Sequence, residues 1–198
     1  MLDSFARFAG PRPGQRTLDV GCGPGALVRR LAALGCQAVG VDADAAMIER
    51  ARELASADAS ALAAEFRLGD VLALPFEAAW FDLVTASNLI FLLREPQAGL
   101  NEMARVVAPG GVLAMLNPSP RLSRASAQDH AEAEGLEDFD AFSLAGWGSV
   151  AENHRRFSPA EIGAMFEAAG LQLEEMAEKI GPGLAIFARA RKARSGEH

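Results

Sequence analysis

Residues 18 to 27 read LDVGCGPGAL, with Gly21, Gly23 and Gly25 alternating with other residues directly after an apolar run. Glycines so spaced leave backbone N–H groups uncovered and accept the positive φ angles of a tight turn, so a nucleotide-like group can lie against them. Gly21-x-Gly23-x-x-Ala26 also satisfies the dinucleotide pattern. Asp42 ends the next apolar run, about twenty residues on, where a carboxylate can take both hydroxyls of a ribose. Recognition of a nucleoside-bearing cofactor is the chemistry indicated, against the plain alternative of a tight turn without a ligand. More than one cofactor carries that ribose diol, so the motif alone does not name it.

Groups able to move a proton are few. His130 lies in an acidic stretch, His198 is terminal, and His154 stands in ENHRRFSP, just before a helix-start signal. His154 is the candidate general base, its alternative being a histidine that packs a loop. Arg155 and Arg156 could hold a carboxylate on a substrate, or serve only as surface arginines. The acids between Asp129 and Asp140 could attract an amine, and read equally as a solvated helix face. Cys22 reads as a small filler in the glycine turn, contributing its backbone. Cys22 and Cys36 lack metal-ligand spacing, so no metal is expected, and a single disulfide between them stays open.

These groups need a frame. Leu2, Phe5 and Phe8 open a short helix, and PRPG turns the chain. Strand-like runs follow at 16–21, 37–42, 65–70, 81–87 and 111–116. Between them Leu27, Leu31 and Leu34 mark one helical face. A second helix starts at Asp44 with Met47, Ile48, Ala51 and Leu54 inward. A third starts at Pro96 and carries Leu100, Met103, Ala104 and Val107 until PGG stops it. Apolar strands alternating with helices predict a parallel sheet covered on both faces. Residues 118–157 interrupt this rhythm with PSPRLSR, an acidic helix-like stretch and the aromatics Phe139, Phe142 and Trp147. Those aromatics read as core, or as substrate-stacking if the segment is a lid. SPAE at 158–161 is a capping box, with Ser158 as N-cap, and Ile162, Met165, Phe166 and Ala169 form the core face that follows. LQLEEMAEKI, a GPG turn and LAIFARAR predict a closing hairpin, hence an antiparallel last strand.

The chain has 198 residues, enough for one domain with a full core. Its net charge of −7 repels nucleic acid, and its one basic run, RKAR, reads as a solvated tail end. No run reaches membrane-span length and MLDSFARFAG lacks signal-peptide character, so a cytoplasmic protein with no membrane or nucleic-acid partner is expected.

LDVGCGPG, VGVDAD, GDVLALPF, FDLV and ARVVAPGG, in that order, resemble the class I S-adenosylmethionine-dependent methyltransferases, in particular their small-molecule branch of methyltransferase type 11. The resemblance covers residues 14–117 well, and the last helix and hairpin more loosely. It implies an α/β, Rossmann-like, doubly wound and mostly parallel seven-stranded sheet in the order 3-2-1-4-5-7-6, with strand 7 antiparallel and helices on both faces. Residues 1–198 would form one S-adenosylmethionine-binding domain, with 118–157 as an inserted helical lid after strand 5. Asp19, Gly21, Gly23 and Gly25 would surround the methionine part of S-adenosylmethionine, Cys22 joining by its backbone. Asp42 would take the ribose, with Ala43 and Met47 beside it. Asp70 would take the adenine amino group and the Val71 N–H a ring nitrogen, while Ser87 and Asn88 would stand where cofactor and acceptor meet.

The implied reaction is in-line methyl transfer to a small N, O, C or S acceptor, for which the protein aligns the partners and excludes water. TASNLI after FDLV lacks the Asn/Asp-Pro-Pro-aromatic tetrapeptide of amino-methylating nucleic-acid enzymes, which also favours a small acceptor. Two other readings stand beside it. A non-catalytic S-adenosylmethionine-binding protein stays open, because acceptor and cofactor sites are built by different residues. An NAD(P)-dependent oxidoreductase is disfavoured by GDVLALPF, FDLV and the hairpin; the absence of Tyr removes the Tyr–Lys pair of short-chain dehydrogenases. About fifteen residues precede the first strand, fewer than this branch often carries, so either 118–157 covers the cofactor alone or the start is truncated.

Overall fold

The computed structural model describes residues 1–61 and 63–194, and their side chains except those of Ser60 and Phe139. Its strands are β1 (Arg16–Val20), β2 (Gln37–Asp42), β3 (Ala64–Leu68), β4 (Phe81–Ser87), β5 (Val107–Pro118), β6 (Leu171–Lys179) and β7 (Ala185–Lys192). They form one sheet in the order β3-β2-β1-β4-β5-β7-β6. Strands β1 to β5 pair in parallel, and β7 runs antiparallel to both β5 and β6. This is the expected topology, with the closing hairpin supplying the antiparallel strand. Because β1 pairs β2 on one side and β4 on the other, the connections from β1 and β4 leave in opposite directions. The crevice so opened at their carboxyl ends is where such sheets bind ligands.

Alternation along each strand divides the core. Leu18, Val20, Val84, Leu113 and Met115 pack under Leu100 and Met103 of α4 (Pro96–Val106) and Ile162 and Phe166 of α7 (Pro159–Ala168). On the opposite face, Leu83, Leu116 and Phe187 meet Phe5 of α1 (Leu2–Ala9), Leu31 of α2 (Ala26–Ala33) and Ile48 of α3 (Ala45–Ser56). Both faces are therefore covered, as the apolar strand runs require. The edge strands differ, for β3 and β6 leave most side chains exposed.

Several local expectations need correction. Leu34 caps α2 and is 47% exposed, because the helix ends before its side chain turns inward. Met47 is also exposed, on the outer side of α3. α4 ends at Val106, and Val107 already pairs with Phe81, so APGG is the irregular start of a longer β5 rather than a helix stop. RKAR is not a solvated tail. Arg191 and Lys192 close β7, and the Lys192 ammonium donates to the carbonyls of Ala104 and Val107 at 2.8 and 2.9 Å. A cation at the end of α4 offsets its dipole and satisfies carbonyls left without helical partners.

Residues 118–157 do hold helices. α5 (Arg124–Ala133) and α6 (Asp138–Glu152) pack on each other and on Leu122 and Leu184 through Ala127, Ala151, Leu144 and Trp147. Gly148 permits the close approach, since a Cβ there would lie 2.5 Å from the Ser123 carbonyl oxygen. Arg156 donates to the Leu122 carbonyl and so ties the two ends of the segment together. No helix among the described residues is long and apolar enough to cross a membrane.

Candidate functional site

Gly21, Cys22 and Gly23 leave β1 as a turn held against β2. The amides of Gly21 and Cys22 donate to the Val41 carbonyl at 2.8 and 3.0 Å. Gly21, Gly23 and Gly25 all have positive φ, at 70°, 50° and 77°. At Gly25 a Cβ would sit 2.5 Å from the Phe66 ring, whereas at Gly23 it would meet nothing within 4 Å. Gly25 also occupies the N-cap of α2 without a side-chain cap. The first N–H groups of that helix are thus left to an acceptor in the crevice, which suits the carboxylate of an amino-acid moiety.

Asp42 stands opposite. Its Oδ2 accepts the Gly23 N–H at 2.8 Å and its Oδ1 accepts the Asp44 N–H at 2.9 Å. Those two bonds fix the carboxylate plane and leave further lone pairs for a diol. Ala43 follows it directly and is exposed, as is Met47 in the first turn of α3, and Asp44 caps α3 by accepting from Ala46 at 2.8 Å. Asp70 lies beyond β3, where its Oδ1 accepts the Leu72 N–H at 2.9 Å and its carboxylate remains exposed. Val71 buries its side chain in the core, which leaves only its backbone for a ligand.

Asp19 is 2% exposed on β1 and receives the Thr85 hydroxyl at 2.8 Å. Burial pushes its carboxyl up to about 7, against the lowering effect of the Thr85 bond; the nearby Asp42 charge raises it further. The same burial, with Asp19 and Asp42 close by, pushes the Cys22 thiol up and keeps it protonated. Cys22 and Cys36 are free and buried, so the disulfide left open by the sequence is not formed.

Ser87 ends β4, and Asn88 follows with a φ of 58°, its amide donating to Leu116 at 2.8 Å. Asn88 Oδ1 is buried with no hydrogen-bond partner. Asn117, on the neighbouring carboxyl end of β5, is 1% exposed, and neither of its amide atoms has a partner. Sequence reading missed Asn117. A polar residue ending the apolar run GVLAML was its only signal, and its burial depends on the β4, β5 and β7 pairing. Buried amides without partners are costly, so two of them at adjacent strand ends mark polar capacity held in reserve beside the crevice.

His154 packs against the turn that follows β4. Its ring meets Phe91 edge-on at 5.8 Å, and its Nδ1 lies 2.9 Å from the Val150 carbonyl. A carbonyl only accepts, so Nδ1 carries the proton and Nε2 is left as a base. The arginines behave otherwise: Arg155 pairs with Glu161 at 2.8 Å, and Arg156 is bonded to Leu122. Both are thereby tied to local structure. His130 is half-buried, its ring set against Gly181. Trp147 joins the core, whereas Phe142 is 78% exposed. His198 and the Phe139 side chain lie outside what is described. No cluster of metal-ligating side chains occurs among the described residues.

A family profile described as methyltransferase domain matches residues 18–115. A ubiquinone/menaquinone biosynthesis C-methyltransferase of Ruegeria sp. (strain TM1040) is 39% identical over 117 residues, 58% of this chain and 46% of that protein. The chloroplastic tocopherol O-methyltransferase of Arabidopsis thaliana is 34% identical over 118 residues, 56% of this chain and 34% of that protein. The chain thus spans less than half the length of these curated relatives. Among solved structures, the magnesium protoporphyrin IX methyltransferase of Synechocystis PCC 6803 with bound SAH superposes with a TM-score of 0.73 at 17% identity. That superposition covers 97% of this chain and 82% of the other, a likeness of fold.

Proposed function

The chain belongs to the class I S-adenosylmethionine-dependent methyltransferases, and from that premise we propose that it methylates a small-molecule acceptor with S-adenosylmethionine. The observation that carries the reading is the Gly23–Asp42 contact at the sheet's switch point, beside the uncapped start of α2. It offers a diol acceptor and an anion-binding helix end a few residues apart. The two buried thiols also suit a reducing, cytoplasmic setting.

When bound, S-adenosylmethionine supplies a methyl group activated on a sulfonium, open to in-line attack by N, O, C or S. The chain's own residues bind, orient and exclude water. Asp42 takes the ribose hydroxyls, with Ala43 and Met47 against the same edge. Asp70 and the Val71 backbone take the adenine. Gly21, the Cys22 backbone, Gly23 and Gly25 bound the methionine end, where Asp19 faces cationic charge. Ser87, Asn88 and Asn117 line the meeting point with the acceptor, and the reserve capacity of the two asparagines fits an acceptor head that both donates and accepts hydrogen bonds. His154 Nε2 removes a proton where the acceptor must lose one, and α5 with α6 forms the lid.

Incubation with methyl-labelled S-adenosylmethionine and a small-molecule extract is expected to yield a labelled metabolite. Cofactor binding without any labelled product would support the non-catalytic reading instead.

A pH series tests Asp19. Asp19 titrates near 7 in the fold against an ordinary 3.8. The native state therefore holds a proton that the unfolded chain releases, and stability falls as pH rises between those values. Cofactor affinity moves the opposite way, because a cation prefers the ionised carboxylate. Binding should tighten on the order of 10-fold from pH 6 to 8, and Asp19→Asn should flatten that rise. His154→Gln should instead leave affinity unchanged and lower turnover. An Asp19→Asn slope equal to the wild type's would contradict the first assignment, and unchanged turnover in His154→Gln the second.

A further inference from the structure

We propose a second ligand site at the amino-end edge of the sheet: a basic pocket for a phosphate-bearing small molecule, built by Arg12, Arg189, Arg191 and Arg194. A cavity of about 240 Å³ opens there, with a mostly polar wall that also includes Gly110 and Asp82. Asp82 lies near the start of β4, and Gly110 near the start of β5. Arg189 and Arg191 lie near the end of antiparallel β7, which is the same edge. Asp42, Asp70 and Asn88 stand at the carboxyl ends, across the sheet, so the two sites can be filled independently.

The charge balance is local and opposite to that of the chain. Asp82 accepts the Arg16 backbone N–H at 2.9 Å and lies 3.9 Å from the Arg16 guanidinium. Glu174 pairs with Arg191 and Arg189, and Glu175 lies 3.4 Å from Arg189. The four lining arginines, with Arg16 beside Asp82, stand against the carboxylates of Asp82, Glu174 and Glu175, leaving two positive charges in excess on a chain of net −7. Arg12 and Arg194 form no ion pair among the described residues. A phosphate dianion matches that excess.

The pocket is also built rather than merely crowded. Gly10 and Gly110 both have positive φ, and both lie under arginines. A Cβ on Gly10 would be 3.2 Å from Arg189 Nη1, and one on Gly110 would be 3.3 Å from Arg194 Nε. The guanidiniums therefore rest on bare backbone. Arg191 Nη1 donates to the Gly110 carbonyl at 2.6 Å and Arg189 Nη1 to that of Phe8 at 3.2 Å, while Arg189 Nε is turned toward the Glu175 carboxylate at 3.4 Å. Guanidiniums so anchored lose little freedom when their remaining N–H groups bind an oxyanion in forked geometry. The volume admits a diphosphate or a small phosphate ester.

Calorimetry at fixed ionic strength tests this with diphosphate, inorganic phosphate, ADP, citrate and a single-stranded oligonucleotide. Saturable one-to-one binding of diphosphate is expected, with ADP or inorganic phosphate ranking next according to whether the natural ligand carries an organic group. Arg12→Gln with Arg194→Gln should weaken diphosphate roughly 10- to 100-fold without lowering the melting temperature. Asp42→Ala should leave diphosphate affinity unchanged, so failure here and failure of the cofactor assignment are told apart. The proposal is overturned by any of four results: no saturation below about 10 mM, an unaffected double variant, citrate binding as tightly as diphosphate, or oligonucleotide binding more tightly.

Discussion

Asp42→Ala is expected to weaken S-adenosylmethionine binding by roughly 10- to 100-fold while the fold persists. The variant loses both acceptors for the ribose hydroxyls, each worth about 1.5–3 kcal/mol to a charged acceptor before water recovers part of it. It also frees the Gly23 and Asp44 amides, which the carboxylate holds at 2.8 and 2.9 Å. From sequence alone Asp42→Asn looks milder, since one acceptor oxygen remains. The structure narrows that margin, because an asparagine must turn its NH₂ toward one of two backbone donors. Asp42→Asn should therefore lose nearly as much as Asp42→Ala. Unchanged affinity in both, measured by titration with S-adenosylhomocysteine, would place the ribose elsewhere.

The second large effect concerns α5 and α6, proposed above as a lid. The structure trims the replaceable part of 118–157, because Ser119 donates to the Gly183 carbonyl at 2.6 Å and Phe157 is buried in the main core. Replacing 123–155 with a short flexible linker should leave a folded chain that still binds S-adenosylmethionine. Its melting temperature should fall, since Leu122 and Leu184 lose their cover. Turnover should drop on the order of 100-fold or more, because acceptor positioning and water exclusion are lost together. Gly148→Val is the finer version. Its side chain would press on the Ser123 carbonyl, a backbone group that cannot turn aside, and so part α6 from α5. Full turnover in either variant would show that the acceptor pocket is formed without these helices.

The alternation of strands and helices was legible in the apolar runs and the helix-start signals between them, and the antiparallel last strand in the closing hairpin, whereas the strand order came with the family resemblance. Ser158 and Glu161 show the same directness, forming the capping box their spacing announces. Errors cluster where tertiary pairing overrides local signals. PGG looks like a helix stop with Val107 still in the helix, yet pairing with Phe81 draws Val107 into β5. RKAR looks like a tail, yet the β5–β7 ladder carries Lys192 to the end of α4. At the site, glycines and acids on consecutive loops were readable because the switch point gathers them. Asn117 was not, since its burial arises from strands far apart in sequence. The pocket of arginines escaped for the same reason: Arg12 and Arg194 come from opposite ends of the chain.

The central claim is that the crevice between the connections from β1 and β4 is built for S-adenosylmethionine. Calorimetric titration of the whole chain with S-adenosylmethionine and, separately, with NADH tests it most directly. One-to-one binding of S-adenosylmethionine with no heat from NADH is the predicted result. Tight NADH binding with no response to S-adenosylmethionine would contradict it.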